Sequence, residues 1–473
     1  MSGMSLCLGD AVQALNHAQI VGDGALVVER VHSDTRTLQR GDLFVALKGE
    51  RFDGAQFLKH AKESGAVAAI CAIDAEAQLN LSGLAGILVP DVKQALGELA
   101  RFWRRRYTGP LVAVTGSNGK TTVTQMVASI LHGWQGHASL ATKGNFNNDI
   151  GLPLTLLRLR PEHRVAVVEL GMNHPGEIAY LASVAESTVA LVNNAQREHQ
   201  EFMASVEAVA VENGGVLSAL PDQGVAVFPA EDAYSTLWRR MAAASRCVLF
   251  DDTGTNADVV LKDAHWMGDR WQANAMVLGK AVGFELHVAG RHNIKNALAA
   301  LACAAAVGAP INAMSAGLTA FRPVNGRSRA QVVQLHGQAI TLIDDTYNAN
   351  PDSVRAIIDV LSELPGKSVL VLGDMGEVGS QGPEFHAEMG DYARERNIGR
   401  LLTFGPLSAH AAVAFGGGRH FESVEDLNRA VYDSAVDCNS IAVKGSRFMA
   451  MERVIYALLA NAAPAIKGAA HVA

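Results

Sequence analysis

The feature that most constrains this chain is the run VAVTGSNGKTTVTQMVASIL at 112–131: an apolar strand, a glycine-bearing loop, Lys-Thr-Thr, then an amphipathic helix pattern. A loop of this kind turns its backbone N–H groups toward one point at a helix N-terminus and so cradles an anion. Gly116 and Gly119 allow the close backbone approach that a side chain would block. Lys120 offers a point charge to the β and γ phosphates of a nucleotide, and Thr121 a hydroxyl to Mg²⁺. Val114 stands where the longer G-x-x-x-x-G-K-[ST] pattern has its first glycine, so this is the shorter T-G-x-x-G-K-T-T form. Thr115, Gly116, Ser117, Asn118, Gly119, Lys120, Thr121 and Thr122 are therefore the expected nucleotide contacts. Kinases, GTPases and motors also use such loops, and the loop alone does not name the reaction. The chain has no Asn-Lys-x-Asp segment to select guanine.

Around the loop, LVAVT (111–115), VAVVEL (165–170), VALVNN (189–194), VAVF (225–228) and CVLF (247–250) are apolar without polar alternation. Strands buried on both faces read this way, as in a parallel sheet covered by helices. Residues 257–289 change to longer strands with turns at 267–269 and 279–280, a small antiparallel insertion, and a helix follows from Asn293 to Val307. ITLIDD (340–345), SVLVLG (368–373), RLLTFG (400–405) and IAVKGS (441–446) repeat the α/β pattern. The expectation is an α/β protein of three domains: 1–108, a central phosphate-loop parallel-sheet domain at 109–322, and a Rossmann-like domain at 323–473. A length of 473 residues suits three cores better than one. The Arg-rich tract Trp103–Tyr107 before Gly109-Pro110 reads as a solvated helix end, and the Ala-, Pro- and Gly-rich tail after Asn461 as a frayed terminus.

A net charge of −7 argues against a general grip on nucleic acid. The five cysteines, Cys7, Cys71, Cys247, Cys303 and Cys438, are scattered and form no CxxC pair, as expected of free thiols in a reducing cytosol. The N-terminus has no basic segment followed by an apolar run, and the apolar stretch Ala297–Val307 is too short to span a bilayer. A cytoplasmic protein without membrane insertion is expected.

Nine segments in order make the chain resemble the Mur ligases over nearly its whole length. They are SDTRTLQRGDLFVALKGERFDG (33–54), TGSNGKTT (115–122), GNFNNDIGLPLTLL (144–157), ELGMNHPGEI (169–178), NNAQREHQEF (193–202), GRHNIKNALAA (290–300), NGRSR (325–329), IDDTYNANPDS (343–353) and LGDMGEVG (372–379). The first segment and DDTYNANPDS are similar to the branch that joins D-alanyl-D-alanine to UDP-N-acetylmuramoyl-tripeptide. The resemblance implies a monomeric, ATP- and Mg²⁺-dependent amide ligase of peptidoglycan synthesis, acting through an acyl phosphate.

It also implies roles. Glu169, at the carboxyl edge of a buried strand, joins Thr121 on one Mg²⁺, and His199 ligates a second. Lys120, Glu169, His199 and Arg327 form the catalytic set. Asn293 and Asn296, three apart on one helix face, lie near adenine, Arg327 reaches the phosphates and Asp345 the ribose. Ser33, Asp34 and Arg36 match the segment that holds the uridine diphosphate sugar. Asn145, Asn147 and Asn148 hold substrate amides, and Tyr347, Asn348 and Asn350 the dipeptide end, with Lys444 and Arg447 as further candidates for substrate carboxylates.

One departure stands out. The family carries a carbamylated lysine about fourteen residues past the histidine, where this chain has Asn213. An amide cannot take up CO₂ and brings no charge. The expectation is that Asn213 binds the metal or its water, with Glu212 or Glu198 supplying charge nearby. Ala55 likewise replaces a histidine common in relatives and touches one uridine-side contact.

Overall fold

In the computed structural model, which describes residues 4–50, 52–254 and 256–462, the described residues build three large sheets from three successive stretches of sequence, with a two-stranded sheet of Leu6–Cys7 and Val27–Val28 in the first. The tail expected to fray lies, from residue 463 onward, outside the described residues.

The first sheet runs Gln19–Val21, Ala85–Val89, Ala66–Ala72, Asp42–Val45, Arg30–His32, parallel except for its first pair. The third runs Arg329–Leu335, Gln338–Asp345, Ser440–Lys444, Ser368–Gly373, Arg400–Phe404, Arg419–Phe421, again with only the first pair antiparallel.

The nine-stranded middle sheet explains the unbroken apolar runs. Along Leu111–Thr115, Leu111 and Ala113 enter the core on one face, while Val112 and Val114 enter the core on the other. Both faces are covered, so no position tolerates a polar residue. The order is Lys280–Leu286, Trp271–Val277, Val259–Trp266, Arg246–Asp251, Val225–Pro229, Val189–Val192, Leu111–Thr115, Val165–Glu169, Ser139–Ala141. The chain leaves Leu111–Thr115 for the far edge, returns beside it, then crosses to its other side. The carboxyl ends of strands at such a crossing are where α/β sheets bind ligands.

Residues 257–289 form the expected antiparallel strands, as an extension of the middle sheet. Val259–Trp266 pairs in parallel with Arg246–Asp251 through Phe250 and Asp251, and two antiparallel strands continue the same sheet. Their inward residues Val259, Ala273, Ala275, Val282 and Phe284 complete the core beneath the helix His292–Ala306, so apolar burial draws them into the main sheet.

The Arg tract at the end of helix Val92–Arg104, which Asp91 caps, is solvated at Arg105 and Arg106 as expected but not at Arg104. Arg104 is buried, and its guanidinium donates to the carbonyls of Tyr107, Ala185 and Glu186, while Arg101 and Arg105 pair with the Glu186 carboxylate. One apolar cluster runs from Leu6 and Ile70 of the first layer through Leu96 and Leu99 to Leu152 and Leu181 of the middle one. The third layer keeps two clusters largely its own.

The five cysteines are free, and among the described residues no helix is long and apolar enough to cross a membrane.

Candidate active site

All three sequence layers contribute to one cleft of about 1300 Å³, whose floor is the phosphate loop. Gly116 has φ +129° and Gly119 φ +82°, a region that favours glycine. A Cβ on Gly119 would stand 2.5 Å from Asn296 Oδ1, so the loop sits too close to the neighbouring helix for any side chain. The helix Lys120–Gln135 starts directly after it.

The two strands flanking the loop supply its surroundings. Glu169, at the end of one, is buried, and its Oε1 accepts from Thr121 Oγ1 at 3.1 Å and Asn147 Nδ2 at 2.8 Å. Its Oε2 is buried without a partner. After the other strand, Asn194 Oδ1 accepts from Asn118 N, while Asn193 donates to Asn118 O and to Asn296 Oδ1. Lys120 Nζ donates to Ser117 O at 2.9 Å and to Glu198 Oε1 at 2.6 Å.

Glu198 and His199 form a charged knot. Burial works to raise the Glu198 carboxyl, but Lys120 and His199 overcome it and hold the carboxyl below its ordinary value. Burial likewise lowers His199, yet bonds to Glu198 and Glu377 win and push it up to about 9. His199 Nδ1 meets Glu377 Oε2 at 2.5 Å and Nε2 stands 3.3 Å from Glu198 Oε1. Its φ of +50° marks a backbone that a histidine rarely adopts.

The third layer closes the cleft. Arg327 Nη2 donates to Thr121 Oγ1 at 3.3 Å, its guanidinium lies 4.0 Å from the Tyr347 ring, and its Nε is buried without a partner. Asn350 caps the helix Pro351–Glu363 and exchanges amide hydrogen bonds with Asn118. Arg197 binds both Asp352 and Glu388.

The expected residues fall into three groups. Ser117 through Thr122, Asn145, Asn147, Asn148, Glu169, His199, Asn293, Asn296, Arg327, Asp345, Tyr347, Asn348 and Asn350 line the cleft together. Thr115 and Gly116 lie beneath it. Ser33, Asp34 and Arg36 stand apart at the end of Arg30–His32, where Asp34 caps a short turn and pairs with Arg36.

Several members already have structural employment. Asn148 Oδ1 accepts from the backbone of Ile150 and Gly151. Asn296 donates to Asn293 Oδ1, and Asn293 to Ala289 O. Asp345 accepts from Ser328 and from Lys444 Nζ at 2.6 Å. Lys444 lines the cleft as well, with its ammonium bound to Asp345 and to Asn348 O, and exposed Arg447 pairs with Glu452 outside it.

Asn213 is a correction. It is buried at the back of the loop, where Oδ1 accepts from Thr115 Oγ1 at 2.7 Å and Gly116 N at 3.0 Å, and Nδ2 donates to Val209 O. It does not line the cleft. Glu212 is equally occupied, accepting from the backbone of Gly176 and Ile178. Sequence reasoning missed the anchoring by Asn193, Asn194 and Arg197; a signal existed, since polar residues after the strand beside the loop strand must emerge at the ligand edge.

A phosphate loop with a carboxylate on the adjacent strand end, roofed by an arginine from a third α/β layer, forms the site of a nucleotide-using enzyme with a cation set over the loop. Comparison with known proteins gives the family. The description "Mur ligase family, catalytic domain" matches residues 27–104, "Mur ligase middle domain" 114–304, and "Mur ligase, glutamate ligase domain" 328–447. The UDP-N-acetylmuramoyl-tripeptide–D-alanyl-D-alanine ligase of Escherichia coli (strain K12) is 39% identical over 440 residues, covering 92% of this chain and 95% of that protein. The enzyme of the same name from Bacillus subtilis (strain 168) is 33% identical over 448 residues, covering 92% and 93%. A crystal structure of MurF from Acinetobacter baumannii superposes with TM-score 0.86 at 30% identity, covering 97% of this chain and all of that one. MurF ligase from Thermotoga maritima, in complex with ADP, gives 0.77 at 25% identity, covering 91% and 97%. The chain belongs to the Mur ligase family and is an ATP-dependent amide ligase.

Proposed function

We propose that this chain joins D-alanyl-D-alanine to UDP-N-acetylmuramoyl-tripeptide in the cytoplasm, as a monomer of three domains with boundaries near 108 and 322, giving the pentapeptide precursor of peptidoglycan, ADP and phosphate. The observation that carries the reading is the convergence of Lys120, Thr121, Glu169 and Arg327 on one cleft, in a chain similar end to end to ligases of that name.

The reaction must bring a carboxylate to a triphosphate and hold the two anions in line. Loop N–H groups from Gly119 to Thr121 grip the phosphates, while those of Ser117 and Asn118 stay on Asn194, and Lys120 turns from Glu198 toward the phosphates. Arg327, held on Tyr347 with a free Nε, caps the charge that spreads over the transferring phosphoryl group. The tripeptide carboxylate takes the phosphoryl group as an acyl phosphate, the dipeptide amine attacks its carbonyl carbon, and phosphate leaves. Asn145, Tyr347 and Asn348 face the same space and orient the two peptides, while Asn147 steadies Glu169. Ser33, Asp34 and Arg36 hold the uridine diphosphate end at the first sheet.

The residues also fit Mg²⁺. Thr121 and the orphaned Glu169 Oε2 are hard oxygen donors at the loop. Among the described residues no three His, Cys, Asp or Glu are grouped to hold a metal alone, as suits an ion held chiefly by phosphate oxygens and water. Bound with the nucleotide, Mg²⁺ would neutralise developing phosphate charge, with Thr121 and Glu169 as holders of one ion and His199 of a second.

The test is ADP release by purified protein with ATP, sugar-nucleotide tripeptide and D-alanyl-D-alanine. Release that requires both peptides, with a product heavier by one dipeptide residue unit, is expected. Equal release with diaminopimelate or glutamate as the amine would move the chain to another branch, and release with neither peptide would make it a simple ATPase.

A further inference from the structure

The family's carbamylated lysine is an anion beside the second metal, and its replacement here leaves a charge to account for. Neither neighbour of that position fills the role. Asn213 has its carbonyl oxygen taken twice and its amide once, all behind the phosphate loop. Glu212 holds the start of the helix Glu177–Ala185 with both oxygens.

Glu198 lies elsewhere in sequence but inside the cleft. It lines the cavity, is only 6% exposed, and its Oε2 is buried without any partner. Its Oε1 stands 3.3 Å from His199 Nε2. Two donors at adjacent corners of an octahedron with bonds of about 2.1 Å sit about 3 Å apart, so this carboxylate and imidazole converge as ligands of one small cation would.

We propose that Glu198 supplies the anionic ligand that a carbamylated lysine supplies elsewhere in the family, so that Glu198 and His199 take the second divalent ion without CO₂. The inference rests on the ligase reading and deepens it. Its logic is an exchange of partners. Lys120 Nζ stands 2.6 Å from Glu198 Oε1 and neutralises it. When a triphosphate draws Lys120 away, a buried carboxylate is left facing a polyanion, which is untenable unless another cation replaces the ammonium. A divalent ion held by Glu198 would remove the repulsion, with His199 Nε2 beside that carboxylate and Nδ1 still oriented by Glu377.

The experiment counts Mn²⁺ bound to the full chain with a non-hydrolysable ATP analogue, by electron paramagnetic resonance, in buffer purged of CO₂. The unmodified chain is expected to bind two ions, and Glu198→Gln to lose the second or bind it at least about 10-fold more weakly, as removal of a charged ligand demands. Glu198→Asp, which keeps the charge on a shorter arm, is expected to retain a second ion with reduced affinity, and provides the reading if Glu198→Gln does not fold. Glu212→Gln is expected to leave the count at two. Two ions of unchanged affinity in Glu198→Gln, a single ion in the unmodified chain, or a second ion that appears only with added bicarbonate would overturn the proposal. Dipeptide-dependent ADP release measured in parallel separates the two readings: if it persists while the ion count fails, only this inference falls, and if it is absent while two ions bind, the ligase assignment falls instead.

Discussion

Arg197 and Asp352 meet across the cleft in a double contact: Asp352 Oδ1 takes the guanidinium at 2.7 Å, and Oδ2 takes the Arg197 backbone amide at 2.8 Å. The loop that carries Glu198 and His199 is thereby pinned to the start of the helix Pro351–Glu363. The contact ties the placement of the charged knot to that of the third layer. Arg197→Ala should lower kcat roughly 10- to 100-fold, because a small misplacement of reacting groups is costly. Affinity for ADP should change little, since the phosphate loop keeps its own anchors, Asn193 and Asn194. Steady-state kinetics with calorimetric ADP binding checks this, and small-angle scattering should register a more open average shape.

Lys120→Ala should abolish dipeptide-dependent ADP release, by about 10³-fold or more, through loss of the cation aimed at the phosphates. It should also destabilise the nucleotide-free protein by about 3 kcal/mol, because Glu198 is left buried without its ammonium. The double variant Lys120→Ala, Glu198→Ala should regain most of that stability and none of the activity. Urea unfolding of the three proteins tests the pairing.

Asn213→Ala should leave Thr115 Oγ1 and Gly116 N without their shared acceptor. An unsatisfied buried donor costs about 1–3 kcal/mol, so the expected loss is of that order, together with weaker nucleotide binding as the loop slackens. Denaturant melts and titration with an ATP analogue read the two effects separately.

His386 gives a pH dependence. It is fully buried; Nε2 accepts from Met375 N at 2.9 Å and Nδ1 faces Gly382 O, an arrangement that suits the neutral ring. Burial depresses its pKa, despite the opposing pull of the Gly382 carbonyl. The unfolded chain therefore takes up this proton at a higher pH than the folded one. Its contribution to stability is full above the ordinary histidine value and declines as pH falls below it toward the depressed one. The melting temperature should drop between pH 7.5 and 5.5, and His386→Gln, which keeps an acceptor, should shrink the drop.

Much of this was legible in sequence where burial is two-sided. Leu111–Thr115 and Ser368–Gly373 are strands over the spans their apolar runs mark, since any polar residue there would face a helix layer. The edge strands Arg329–Leu335 and Arg419–Phe421 were not, because half-exposed strands carry polar residues that look like loop. The loop, Glu169 and His199 announced themselves through motif and strand-end position. The employment of Asn213, Asn350 and Lys444 did not, because a lone polar residue reads the same whether it meets ligand, water or another segment of chain. Only the fold brings Thr115 to Asn213, across 98 positions of sequence.

The buried Arg104 guanidinium and the apolar cluster it seals weld the first sheet to the middle one, whereas the third sheet meets the middle one mainly through polar contacts at the cleft. Of the two hinges that a chain of three parts could own, one is glued shut and the other is wet. A change in the placement of the third sheet would therefore leave the seam between the first two intact, since none of its buried contacts involves the third.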